Sequence, residues 1–163
     1  NIGEGVSNGI AIGQGSSNST SNTIVLGNTS ITKVSTSGEI VTTNDLTAKH
    51  IKGNSGALSI AASTGAGTSP SAVSVTGTDM SGVVALTTGT SPTVNAVLAT
   101  ITYNTAFSTA PVVVITPANA ATASLAAAQA VWVNITTTGF SINTNATAVV
   151  SSTAYKWNYV VIQ

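Results

Sequence analysis

Apolar and polar positions alternate over short stretches of this chain, and small or polar residues separate these stretches. From residue 72 onward the pattern predicts seven strands, near 72–78, 82–88, 95–103, 111–116, 130–138, 140–144 and 155–162. Short strands at this spacing indicate an antiparallel β-sandwich that is jelly-roll-like. One alanine-rich stretch, 119–129, is compatible with a helix, and a long loop containing a helical turn is the alternative.

Turn and strand chemistry adds detail to this pattern. Residues 76–82 predict a hairpin connection, because Gly and Asp supply the backbone conformations and local bonds that turns need. Pro111 and Pro117 bracket a continuous apolar run, which favours a strand covered on both faces. In the last strand both alternating sets contain apolar residues, so we expect it to lie between the core and a subunit interface.

The first 28 residues carry a different pattern. The segment GIAIG at 9–13 returns fourteen residues later as TIVLG at 23–27, after a loop of Ser and Asn. A strand that ends at Gly and returns through a polar loop is typical of one rung of a solenoid. Two rungs bury too little apolar surface for independent stability, so we expect the same segment of two other chains to complete them. Two unrelated edge strands with a shared composition bias are the alternative.

Between these regions, residues 29–71 predict a neck and a linker. Apolar residues are sparse over 29–56, where Asn44 is a candidate N-cap of a short turn. Residues 61–71 consist of Ala, Ser, Thr, Gly and Pro, which is linker chemistry. We therefore expect a β-roll repeat over 1–28, a neck and linker over 29–71, and a β-sandwich over 72–163.

Composition narrows the possible partners. The 163 residues have a formal net charge of +0, only 5% are charged, and there is no cysteine. Nucleic acid and anionic lipid require clustered Lys and Arg, so neither is an expected partner. No apolar run approaches the length needed to cross a bilayer, so we expect no membrane insertion. A neutral chain rich in Thr, Ser and Asn is typical of extracellular fibres and their tips.

Two parts of the chain resemble known fibre proteins. Residues 9–28 are similar to the head repeat of YadA-like trimeric autotransporter adhesins, which reads roughly x-A-I-A-I-G with a polar return. Residues 73–163 resemble the β-sandwich tip modules of phage tail fibres and of related trimeric fibres in predatory bacteria. The segments that carry this second resemblance are 75–79 with Gly82, 87–90, 98–103, 110–119 and 155–159. The resemblance implies a homotrimeric, extracellular or virion-fibre tip that adheres to a cell surface.

Few residues offer catalytic chemistry. A glycosidase needs two carboxylates, and the sandwich contains only Asp79, whose simplest role is in a turn. His50 is the sole histidine and lies in the neck, where a threefold ring of histidines could trap an ion, the alternative being a solvated side chain. The Gly-x-Gly segments at 3–5 and 13–15 open no helix and are interpreted as turns. We expect no enzymatic activity, no cofactor and no resident metal.

The aromatic residues give the positive argument for a site. In 130–136, period-two alternation places Val and Ile on one face and Trp132 with Asn134 on the other. An exposed Trp can stack on the apolar face of a sugar ring while a neighbouring amide bonds to hydroxyls. Packing of Trp132 against another chain or under a loop is the alternative.

Six residues are therefore candidate ligand contacts: Trp132, Asn134, Trp157, Tyr155, Asp79 and Asn119. For the aromatic residues of the last strand, a place in the core or at an interface is the alternative. The function expected from the sequence is a trimeric fibre tip that binds a surface receptor, in the first place a glycan, non-covalently. A purely structural spacer or trimerisation module is the second interpretation, and a polysaccharide hydrolase is the third.

Overall fold

The computed structural model describes residues 2–13, 15–27, 45–53, 55–128, 130–147 and 149–163. The chain divides into two compact units, Asn1–Ala48 and Lys49–Gln163. Most of the predicted neck, including the candidate cap Asn44, lies outside the described residues.

In the first unit, the sequence repeat is a structural repeat. Strands β1 (Ile10–Ile12) and β2 (Ile24–Leu26) pair in parallel, and each residue of β1 lies opposite the residue fourteen positions later. The same offset continues into the side chains, where Asn8 Nδ2 donates to Asn22 Oδ1 at 3.1 Å. Both asparagines have positive φ, 53° and 59°, a conformation that Asn tolerates better than most residues. The predicted rungs are confirmed, and the alternative of two unrelated strands is wrong.

Hydrogen bonds hold the centre of this first unit. Asn18 is 1% exposed, and its amide nitrogen donates to the carbonyl oxygens of Ile10 and Thr23 at 3.2 and 2.8 Å. Its amide oxygen accepts from Thr20 N at 3.0 Å and Thr23 Oγ1 at 2.8 Å. By contrast, the large aliphatic side chains of the two strands lie 46–62% exposed. These side chains, here called the rung stripe, are Ile10, Ile12, Ile24 and Leu26.

The described residues of the second unit form eight strands and one α-helix. The strands are β3 (Ser59–Ala62), β4 (Ser71–Gly77), β5 (Ser81–Thr87), β6 (Val97–Thr102), β7 (Val112–Pro117), β8 (Val131–Ile135), β9 (Gly139–Thr144) and β10 (Ala154–Ile162), and the helix is α1 (Ala120–Ala127). The strands form two four-stranded antiparallel sheets, sheet I in the order β4-β5-β10-β7 and sheet II in the order β3-β6-β9-β8. All seven predicted strands are confirmed.

The two sheets share one apolar core, which gives the unit a sandwich-like, all-β architecture. The rings of Phe140 in sheet II and Tyr159 in sheet I meet with their centroids 5.6 Å apart. Buried residues of both sheets join one cluster. The largest fully buried apolar side chains are Trp157, Tyr159, Phe140, Leu86, Leu98, Ile101 and Ile142. Burial of this apolar surface is the main stabilising contribution to the unit.

Two connections behave as the sequence predicts. Thr78, Asp79 and Met80 join β4 to β5, and Thr78 N donates to Ser81 O at 2.9 Å, which confirms the hairpin. Helix α1 links β7 in sheet I to β8 in sheet II, which confirms helix in the alanine-rich stretch. No helix in the described part of the chain is long and apolar enough to span a membrane.

The predicted linker over 61–71 is wrong in its first half. Strand β3 pairs with β6, and a 3-10 turn follows at Thr64–Ala66, with Ala66 fully buried. The small residues that resemble a linker serve close packing here. A Cβ atom at Gly65 would lie only 2.6 Å from the Val97 carbonyl oxygen, so the close approach requires Gly at this position. The sandwich therefore includes residues that precede 72.

Within a single chain, the run 112–115 is not covered on both faces, contrary to the prediction. Strand β7 is an edge strand, with Val113 buried but Val112 and Val114 63% and 51% exposed. Val112 lies opposite Ile162 of β10, and Val114 lies opposite Val160, and both partners are exposed as well. Val112, Val114, Val160 and Ile162 thus form an aliphatic patch on the outer face of sheet I. The run is apolar throughout because one set of side chains enters the core and the other forms this patch.

Candidate functional site

Strand β8 presents the predicted aromatic platform. Trp132 is 53% exposed and Asn134 is exposed, while Val131, Val133 and Ile135 pack against the core. The faces predicted from period-two alternation are therefore confirmed. Strand β8 is one of the two edge strands of sheet II and pairs only with β9 inside that sheet. The Trp132 side chain thus projects from an edge strand.

Polar residues surround this platform on the outer face of sheet II. The antiparallel register places Asn143 of β9 opposite Trp132, and Ser141 opposite Asn134. Farther across the sheet, Thr100 of β6 lies opposite Ser141. On the side of β8 that faces β9, hydroxyl and amide groups therefore lie next to the Trp132 indole.

A groove of about 140 Å³ lies in this face. Gly139 is buried there, and its partner across the sheet is Thr102. A Cβ atom at Gly139 would collide with the Ile101 carbonyl oxygen, so this position cannot accept a side chain without a backbone shift. The groove is lined by Thr100, Ile101, Thr102, Asn134, Thr136, Thr138, Gly139, Phe140 and Ser141.

Several polar side chains at the groove are available to a ligand. Within the described part of the chain, the side chains of Thr100, Thr102 and Asn134 form no hydrogen bond. Asn143 is already engaged, because its Nδ2 donates to the Ser141 carbonyl oxygen and hydroxyl at 3.1 and 3.0 Å. None of the described residues that line the groove is charged. The groove therefore offers neutral donors and acceptors.

Tyr155 and Trp157 do not belong to this face. Both point from the inner face of β10 into the core, where they are 2% and 1% exposed. Their rings stack on each other with centroids 5.9 Å apart, and Val150 N donates to Tyr155 Oη at 3.0 Å. For Tyr155 the expectation of a ligand contact is corrected, because core packing leaves it almost no surface. Trp157 also lines a cavity of about 210 Å³ with Ile115, Pro117, Ala126 and Val131, so its contact with a ligand stays a prediction. Their core alternative is confirmed.

Asp79 is a structural residue of the β4–β5 hairpin. It is 5% exposed, and its two carboxylate oxygens accept from Asn104 N at 2.7 Å and Thr105 N at 3.0 Å. Its own backbone N donates to Ser55 Oγ at 2.7 Å. The carboxylate thus fastens the turn to the loop after β6, which confirms the turn role. Its side chain also lines a second cavity of about 290 Å³, so direct ligand contact stays a prediction.

The Asp79 carboxylate affects the pKa of two tyrosines in the core. Burial, and then the negative charge of Asp79, raise the pKa of Tyr103 and of Tyr159 to about 12. Tyr159 Oη donates to the Thr78 carbonyl oxygen at 2.7 Å, whereas Tyr103 Oη is buried without a partner in the described part of the chain. The raised pKa values favour the protonated form of both phenols, which suits a structural role.

Asn119 caps helix α1. Its Oδ1 accepts from Thr122 N at 2.9 Å, and its Nδ2 donates to the Ala154 carbonyl oxygen at 2.9 Å. Both ends of the amide therefore make a hydrogen bond inside the protein, which gives Asn119 a capping role, while its contact with a ligand stays a prediction.

The other candidate features are His50 and a second cleft. His50 is exposed in a stretch without regular structure. Within the described ranges, no three His, Cys, Asp or Glu side chains lie close enough together to hold a metal ion. A second hydroxyl-lined cleft, of about 400 Å³, contains Thr68, Ser69, Ser71, Thr87, Thr88, Gly89, Thr90 and Ser152 but no aromatic residue.

Sequence reasoning found Trp132 and Asn134 but missed their neighbours Thr100, Thr102 and Ser141. The signal was present, since these residues occupy alternate polar positions of two predicted strands. What the sequence lacked was the order of the strands in the sheet. Comparison of the chain with models of protein families, with curated proteins and with solved structures finds no match.

Proposed function

We propose that this chain is the tip of a homotrimeric extracellular fibre and that it binds a cell-surface glycan non-covalently. The observation that carries the proposal is the half-exposed indole of Trp132 beside the unbonded amide of Asn134. Tryptophan is over-represented among residues that dominate binding energies, because it combines a large apolar surface with a polar N–H group. A rigid β-strand holds this side chain, so little conformational entropy is lost on binding.

The trimeric part of the proposal is supported by exposed aliphatic surface in both units. The rung stripe and the aliphatic patch on sheet I together expose eight Ile, Leu and Val side chains, each by at least 46%. Contact with identical chains would remove this surface from water. Three weak glycan sites on one tip would then raise the avidity by orders of magnitude on a repetitive surface. A jelly-roll-like topology of the sandwich belongs to the same proposal.

A structural spacer is the second candidate function, and the aliphatic patch favours it equally, because assembly alone would account for that surface. A polysaccharide hydrolase is the third. It has the least support, since Asp79 is the only carboxylate of the sandwich and both its oxygens already accept backbone N–H groups.

The test is binding of the intact chain to bacterial and eukaryotic cells and to an immobilised glycan array. We expect selective binding, and we expect W132A to weaken it by about tenfold or more, in the range of a strong interface contact. V150A is the matched control, because Val150 is 64% exposed outside sheet II. Equal binding by W132A and the unsubstituted chain would refute the site, and no selective signal at all would favour the spacer.

A further inference from the structure

We infer that the glycan bound at Trp132 is an uncharged saccharide of at least two sugar units that lies along the edge strand β8. This inference rests on the proposed function and adds the ligand class and its orientation. Three features carry it: the absence of charge around the groove, the spacing of the outward residues of β8, and the unbonded hydroxyl and amide groups.

The groove contains nothing that could neutralise an acidic sugar. Its described lining consists of Thr, Ser, Asn, Gly, Ile and Phe. Lys156 is exposed, but it belongs to the outer face of β10 in sheet I, on the far side of the sandwich. A carboxylate, sulfate or phosphate that entered the groove would lose hydration without gaining a countercharge, which is unfavourable. A neutral saccharide has no such penalty.

The spacing along β8 sets the minimum length of the ligand. Trp132 and Asn134 occupy alternate positions on one face, so their Cα atoms are separated by about 6.8 Å along the strand. Thr136, which follows the end of β8, lines the groove with Asn134. A sugar ring stacked on the indole therefore leaves the Asn134 amide and the groove to a following unit. Because β8 is an edge strand, a longer chain can continue past the sheet.

The unbonded groups match the chemistry of sugar hydroxyls. Thr100 and Thr102 each offer a hydroxyl that donates and accepts, and Asn134 offers an amide with both functions. A sugar hydroxyl is likewise both donor and acceptor. A site of this kind discriminates strongly against analogues that lack the hydroxyl, because its own polar groups are then left unpaired.

Tryptophan emission of the intact chain gives a direct measurement. The chain has two tryptophans, of which Trp157 is 1% exposed and Trp132 53% exposed, so a saccharide on the indole changes the emission of Trp132. The probes are neutral oligosaccharides of glucose, mannose and N-acetylglucosamine, oligogalacturonate, and the pair lactose and sialyllactose. We expect a neutral oligosaccharide to bind about tenfold more tightly than its acidic counterpart and than its own monosaccharide. We also expect less than about a twofold change in affinity between roughly 50 and 500 mM salt.

Substitutions separate this inference from the proposed function. T102A and N134A should weaken neutral binding by about fivefold each, and T90A in the hydroxyl-lined cleft is the control that should not. T102K, which adds a positive charge to the groove, should not strengthen binding of the chain to cells. Tighter binding of acidic probes, a steep fall of affinity with salt, or a gain from T102K would overturn the neutral class while W132A still weakens cell binding. If no probe binds and W132A binds cells like the unsubstituted chain, the inference and the proposed function both fail.

Discussion

Tyr103 and Tyr159 are two buried phenols of one core that differ in a single hydrogen bond. Tyr159 Oη donates to the Thr78 carbonyl oxygen, whereas Tyr103 Oη has no partner in the described part of the chain. A buried hydroxyl without a partner costs about 1–3 kcal/mol, so the Tyr103 side chain stabilises the fold through its ring alone. The ring contacts are with Phe107, at a centroid distance of 4.9 Å, and with Phe140, at 6.1 Å.

These two phenols predict a loss of stability at alkaline pH. Their pKa is about 12 in the folded chain and about 10 in an unfolded one, so below about pH 10 both states are protonated and stability is complete. Between about pH 10 and 12 the unfolded chain releases protons that the folded chain keeps, so the free energy of unfolding falls. Melting temperatures from pH 8 to 12 measure this loss.

In this measurement Y103F should be as stable at pH 8 as the unsubstituted chain, because the substitution removes an unpaired hydroxyl. Above pH 10 the melting temperature of Y103F should fall less than that of the unsubstituted chain. Y159F also removes a phenol of raised pKa, so it should share the smaller alkaline loss, but it differs at pH 8, where it should already lose about 1 kcal/mol with its hydrogen bond to Thr78. Identical alkaline profiles for Y103F and the unsubstituted chain would contradict the assignment.

Among the helices and strands, α1 depends on one side chain at its start. Asn119 accepts from Thr122 N and donates to the Ala154 carbonyl oxygen. We expect N119A to lower the free energy of unfolding by about 1–2 kcal/mol, because both bonds are lost. N119S keeps a capping acceptor and loses only the donor to Ala154, so it should cost less. Denaturant titration separates the two variants, and equal losses would show that the cap contributes nothing.

Strand patterns gave correct predictions where one face decides the outcome. In β8 the alternation alone exposes Trp132, because the aliphatic residues must enter the core. The exposure of Val112 and Val114 in β7 depends instead on β7 being an edge strand, which is a long-range property of the sheet order. Strand β3 was not predicted, for a related reason. Its small residues pack as a strand because they pair with β6, which is distant in sequence. The hydrogen bonds between Asp79 and the loop after β6 could not be predicted either, because they also join parts of the chain that are distant in sequence.

For the molecule as a whole, the proposed trimer makes the aliphatic patch an interface. We expect sedimentation equilibrium of the intact chain at micromolar concentration to give a trimer. V114K should weaken the association by at least about tenfold, because it buries an unpaired charge, and T76K on the exposed part of sheet I should not. A monomeric unsubstituted chain would contradict the trimer, and an intact V114K trimer would move the interface away from the patch.

The parallel pairing of Ile10 with Ile24 also limits how this part of the chain tolerates insertions. An added segment of fourteen residues would reproduce every turn and place Ile above Ile again, whereas a segment one residue longer or shorter would turn each outward side chain inward. Related chains should therefore differ in length here by whole multiples of fourteen residues. Each such step would add one strand to the parallel pair and lengthen this stack by one strand spacing, about 4.8 Å, so the length of this part of the chain would change only in fixed steps.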